Sequence, residues 1–84
     1  MKTKVEQLAN NQFIIITPKG VYFQSYNSII AFKPNDNRRT QLDSYYWDYS
    51  RTTGKYRNQF LNEGIAETRV KIERKEYLLT NLNK

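Results

Sequence analysis

The stretch "YYWDYSRTTGKYRNQF", from Tyr45 to Phe60, marks where the chain changes character. Ser50, Thr52 and Thr53 are all good helix N-caps, because a short side-chain oxygen can accept a free backbone N–H of the first turn. Beyond them, Tyr56 and Phe60 stand four apart with Leu61 adjacent, which makes an apolar stripe along a helix. The spacing predicts a helix from Thr53 to Asn62, closed by Gly64 in the left-handed conformation. Asp48 precedes the positive end of that helix and is expected to accept its backbone N–H groups. Trp47 is the only tryptophan, and a small core can hardly leave it in water. It is expected to fill the seam between helix and sheet.

The sheet comes from the residues upstream. Gln12 to Thr17, "QFIIIT", is β-branched and aromatic and stops at Pro18-Lys19-Gly20, a strand followed by a tight turn. Val21 to Tyr26 resumes as a strand, with Val21, Phe23 and Ser25 on one face and Tyr22, Gln24 and Tyr26 on the other. After a break at Asn27-Ser28, Ile29 to Lys33 is a third strand, ended by the turn "PNDN". Thr40 to Leu42 reads as a short fourth. Lys4 to Ala9 is compatible with strand or helical turn, and Asn10-Asn11 after it favours a hairpin. Downstream, Ala66 to Arg74 is charged and free of breakers, with Glu67 and Lys71 at i and i+4, and reads as a second helix. The alternation in "RVKI" would equally allow a strand there. Tyr77 to Thr80 returns to a strand pattern. The expected fold is α+β: an antiparallel sheet of four to five strands with one or two helices packed on one face. With no linker or repeat, residues 1–84 form a single domain.

Composition narrows the function. Fourteen Lys and Arg against eight Asp and Glu give a charge of +6, which favours anionic partners. There is no cysteine and no histidine, so triads of the Ser-His or Cys-His type are excluded, as are thiolate metal sites. "TTGKY" at Thr52 to Tyr56 lacks the glycine and the Ser/Thr of a phosphate-binding loop: Tyr49 and Tyr56 stand there instead. Glu73-Arg74-Lys75 has the spacing of half a nuclease motif, without the clustered acids a hard metal needs. No catalytic role and no cofactor are expected. The start, "MKTKVEQLANN", holds no apolar run of the kind a signal peptide needs, and no stretch approaches the length of a membrane span. No membrane association is expected.

Two blocks, "FQSYNSIIAF" and "YYWDYSRTTGKYRNQFL", resemble a family of small proteins of unknown function from bacteriophages and mobile elements of low-GC bacteria. That family carries an "FxSYxxxIA" strand pair and then a "WDYSxTTxKYxxxFL" block, and the likeness runs from about Gln12 to Leu61. It implies a phage or mobile-element context in the cytoplasm of a bacterial host. It supplies no activity and no site residues.

The residues themselves offer one binding surface. Arg51, Lys55 and Arg57 could hold phosphates while Tyr45, Tyr46 and Tyr49 stack bases. Arg51 and Lys55 share a side of the helix start, and Arg57 points away from both. Arg38 and Arg39, beside the "PND" turn, are expected to be exposed, either as a solvated loop or as an anion contact. The face of Arg69, Lys71, Arg74 and Lys75 reads as a solvated helix face, able to bind phosphate if it aligns with Arg51, Lys55 and Arg57. Two functions follow: a non-catalytic accessory protein that binds nucleic acid through this basic and aromatic surface, or a protein-directed inhibitor of a host defence machine, anti-CRISPR-like, whose partner is a host protein or nucleoprotein complex. The thin core and the sheet edges leave a homo-oligomer open.

Overall fold

The computed structural model describes residues 3–84. In chain order the elements are β1 (Lys4–Ala9), β2 (Gln12–Thr17), β3 (Gly20–Ser25), β4 (Ser28–Pro34), β5 (Gln41–Asp43), α1 (Arg51–Leu61), α2 (Ile65–Glu73) and β6 (Leu78–Thr80). The six strands lie side by side in chain order. The α+β class is as expected. The sheet is larger than four to five strands, because Lys4–Ala9 and Leu78–Thr80 both join it.

The sheet is also mixed rather than antiparallel. The first four pairings are antiparallel hairpin-type neighbours, but β6 runs parallel to β5, with Leu42 beside Leu79. The cause is the route of the chain. After β5, two helices carry it back across the sheet to the end from which β5 started, and a strand that begins there must run in the same direction.

Each tight turn has a local cause. Thr17 Oγ1 accepts the N–H groups of Lys19 and Gly20 and donates to the Gly20 carbonyl. Gly20 has φ of 152° and sits so close to β4 that a Cβ would lie 2.3 Å from the Lys33 carbonyl oxygen, so only glycine fits. Asn11 turns the first hairpin at φ of 62°, a conformation asparagine tolerates well.

Pairing fixes which side chains share a face. Ile14, Phe23, Ala31 and Leu42 form one row across the sheet. Phe60 and Leu61 of α1 close over this row to make the core with Ile30. Trp47, Tyr56, Ile72 and Tyr77 pack around its rim. Trp47 is thus half-buried against the core, not sealed within it. The opposite row is Val5, Ile15, Tyr22, Phe32, Gln41 and Leu78. Tyr22 stacks on Phe32 at 4.3 Å between ring centroids.

The helices begin and end on small polar devices. Ser50 caps α1, its Oγ accepting from the Thr53 N–H at 3.2 Å. Thr53 Oγ1 also bonds Ser25 Oγ at 2.9 Å, which seats the first turn of α1 on β3. The left-handed residue at the end of α1 is Asn62 rather than Gly64. Gly64 is extended and serves as the N-cap of α2, because only two residues separate the helix cap from the next helix start. The Lys33 ammonium donates to the Phe60 carbonyl near the negative end of α1 and lies 4.5 Å from the Phe60 ring. Burial lowers the Lys33 pKa, partly offset by the charge of Glu63.

Two buried carboxylates fasten the loops. Asp43 is 1% exposed and accepts from the N–H groups of Tyr45, Tyr46 and Leu82. Burial alone would raise its pKa; the backbone N–H bonds outweigh that, and the pKa falls below the usual carboxylate value. Glu63, at the junction of the helices, accepts from Lys71 at 2.7 Å, Thr68 at 2.6 Å and Tyr77 at 2.9 Å. Burial again opposes ionisation, and these donors again win, so the Glu63 pKa is lowered. The Tyr77 hydroxyl is pushed up to about 12 by burial and by its bond to Glu63.

Candidate functional site

The start of α1 separates two depressions, and Ser50 lines both. On one side, Arg51, Lys55, Arg57 and Arg69 surround a single acid, Asp48. Arg51 and Lys55 lie one turn apart on the exposed side of α1. Arg69 reaches in from α2 and pairs with Asp48 at 3.6 Å. Four cations around one carboxylate leave the depression strongly positive, and helix-start N–H groups add to that field. Arg69, read from sequence as part of a solvated face, therefore does align with Arg51 and Lys55.

Arg57 is a correction. It was expected among the surface cations, yet it is only 2% exposed. Its guanidinium donates to the Trp47 carbonyl at 2.8 Å, to Asp48 Oδ1 at 3.2 Å and to Asn58 Oδ1 at 3.0 Å. It lies 5.4 Å from the Trp47 ring. So held, it cannot reach out to a phosphate; it pins the loop before α1 onto the helix. Asp48 is likewise not a backbone cap: it bridges Arg57 and Arg69, and Ser50 does the capping. The spacing carried the signal. Thr53, Arg57, Phe60 and Leu61 are the buried stripe of α1, at i, i+4, i+7 and i+8, and the stripe is centred one residue beyond Tyr56.

On the other side of Ser50 lies a cleft of about 530 Å³. Tyr46 and Tyr49 line it from the loop before α1, with ring centroids 5.3 Å apart at 62°. Tyr46 is half-buried on the core, whereas Tyr45 and Tyr49 are 74% and 62% exposed. The third wall is Tyr26, from the turn between β3 and β4. Sequence reasoning assigned Tyr26 to a strand face and missed it as a site residue. The available signal was its place directly before Asn27, in a turn that brings it back toward the helix start.

Arg38 and Arg39 stand apart from these clefts. They line a separate depression with Gln41 and Leu78. Arg38 is engaged by Asp36 at 3.0 Å, and its backbone N–H and guanidinium hold that carboxyl below its usual pKa. Arg39 donates to the Lys75 carbonyl at 2.9 Å, just past the end of α2.

The family signature that matches this chain is that of a family of unknown function, DUF8033, over residues 1–78. The chain belongs to this family. The matched span includes β1 to β5 and both helices, and so both clefts. No curated protein and no solved structure matches the chain. Among the described residues, no helix is long and apolar enough to cross a membrane.

Proposed function

We propose that this DUF8033 protein is a non-catalytic accessory protein of a phage or mobile element that binds single-stranded nucleic acid across the start of α1. The observation that supports it is the gathering of Arg51, Lys55 and Arg69 in one depression beside the exposed tyrosines of the preceding loop. Basic side chains neutralise phosphates, and aromatic rings accept bases of any identity, so the binding is sequence-tolerant. Arg57 makes no part of this surface, because its guanidinium is committed to Trp47, Asp48 and Asn58.

The test is the salt dependence of affinity. Each neutralised phosphate adds about 0.7 to 0.9 to the slope of log affinity against log salt. Arg51→Ala combined with Lys55→Ala should flatten that slope by about 1.5 without changing sequence preference. Wild-type protein that binds no nucleic acid at roughly 50 mM salt, where such contacts are strong, would end the proposal.

A second reading, an inhibitor directed at a protein of a host defence machine, draws on the opposite face. The row Val5, Ile15, Tyr22, Phe32, Gln41 and Leu78 carries no charged side chain. Val5 is 60% exposed and Leu78 39%. Exposed apolar surface of this kind suits a protein partner. Capture of one host protein that survives nuclease treatment would favour this reading over the first.

A further inference from the structure

Tyr26 occupies a position that the fold would fill more easily with another residue. It is the first residue of a two-residue hairpin turn between Ser25 and Ser28, at φ of 57°. Turns of this kind favour Asn or Gly there, because a Cβ is crowded at positive φ. Its backbone is what the fold uses: the N–H donates to the Asn11 carbonyl at 2.7 Å, and its own carbonyl accepts from the Gln24 amide at 2.8 Å. The ring is 48% exposed and contributes nothing to the core cluster. A residue held in a costly conformation without a packing return points to a use for its side chain.

That ring lines the cleft of about 530 Å³ opposite Tyr46 and Tyr49. The volume lies within the roughly 300–1,000 Å³ typical of small-molecule sites. Asn27, Ser28 and Thr52 supply hydrogen-bonding groups of both senses around it. An aromatic-walled cleft edged by neutral donors and acceptors, and carrying no charge of its own, matches an unpaired nucleobase in shape and chemistry. Ser50 joins this cleft to the cationic depression. A base and the neighbouring phosphates of one strand can therefore be held at once.

We infer that the cleft between Tyr26, Tyr46 and Tyr49 is a pocket for one unpaired base of a single-stranded nucleic acid. The inference rests on the nucleic-acid reading above and adds to it a second, uncharged subsite that duplex cannot fill. Tyr26→Asn is the diagnostic variant. Asparagine tolerates the turn conformation, so the variant loses the ring and keeps the fold, with a melting temperature at or above that of the wild type.

The experiment measures fluorescence anisotropy on short oligo-dT and oligo-U, each beside an abasic copy with the same number of phosphates. Wild type should prefer the base-bearing strand by roughly 5- to 150-fold, the weight of one base-on-aromatic stack. Tyr26→Asn should erase that preference while keeping the affinity for the abasic strand and the salt slope. Loss on one sugar only assigns the pocket to DNA or to RNA. A preference that persists in both Tyr26→Asn and Tyr49→Ala overturns the pocket and leaves the electrostatic reading standing. Wild type that binds none of the four strands defeats both.

Discussion

Replacing Glu63 by Gln removes one charge from the junction of the two helices and keeps the side-chain shape. The Glu63 side chain is 1% exposed, and Lys71, which donates to it, is 30% exposed. Breaking a buried charge pair by removing one partner costs about 3–5 kcal/mol. Lys71 keeps a water-facing side and a second acid, Glu67, at 3.4 Å, so the cost should fall below that range. The Gln amide must also point its NH2 group at Thr68, Lys71 or Tyr77, all of which donate to the carboxylate. A lost charge-assisted hydrogen bond of about 1.5–3 kcal/mol sets the scale, and we expect a loss of about 2–3 kcal/mol at neutral pH. In a domain of this size that is a large part of total stability, and it should lower the melting temperature by roughly 10–20 °C.

The sign of the pH dependence identifies the cause. Glu63 has its pKa lowered on folding, so its contribution is full above the unfolded value near 4.5 and is lost as pH falls through the folded value. The gap between wild type and Glu63→Gln should therefore narrow progressively as pH falls below about 4.5. Asp43, also lowered, weakens both proteins equally in acid and drops out of the difference. Urea unfolding across this range gives the gap directly. A gap that widens as pH falls below about 4.5, or a variant as stable as wild type at pH 7, would refute the reasoning.

Two more outcomes follow from the corrected placements around α1. Arg57→Ala should destabilise the domain by about 3 kcal/mol, as loss of a buried cation that satisfies a carbonyl and a carboxylate, while leaving the salt slope of nucleic-acid binding unchanged; a flattened slope in a folded variant would return Arg57 to the binding surface. Trp47→Ala should cost about 2–3 kcal/mol in thermal unfolding, less than for a fully buried aromatic, because Trp47 is half-buried; native fluorescence characteristic of a fully hydrated indole would show that even this overstates its packing.

The strands β2, β3 and β4 were legible because their β-branched and aromatic runs are bounded by Pro18, Gly20 and Asn27, each a residue that stops a strand by its own geometry. The helix α1 was legible within two residues, because Ser50 and the Phe60–Leu61 stripe mark its ends. Direction was not legible in β6: three residues carry no sign of whether they run parallel or antiparallel, and the two helices before them decide it. Of the site, Arg51 and Lys55 followed from helical spacing alone. Arg57 did not, because a charged residue in a buried stripe is assigned to solvent unless its partners are known. Those partners, the Trp47 carbonyl and Asn58, are a backbone atom and a common polar residue that no pattern flags.

The thin core and the site share one physical origin. Among the described residues, the buried apolar cluster consists of six side chains, Phe23, Ile30, Ala31, Leu42, Phe60 and Leu61. So small a core leaves the long connections around the helices little apolar surface to pack on, and polar groups fasten them instead. Asp43 holds the segment before α1 and the chain after β6. Arg57 clamps Trp47 and Asp48, and Glu63 ties the helix junction to α2 and to Tyr77. With the backbone of the 44–50 loop held from below in this way, Tyr46 alone of its tyrosines packs on the core, and Tyr45 and Tyr49 face outward. A rigid loop that presents rings beside a cationic helix start loses little freedom when a strand binds, which is the condition under which stacking adds to affinity instead of being spent on ordering. It follows that weakening a fastener far from the cations, such as Asp43, should lower affinity for single strands while leaving the salt slope intact.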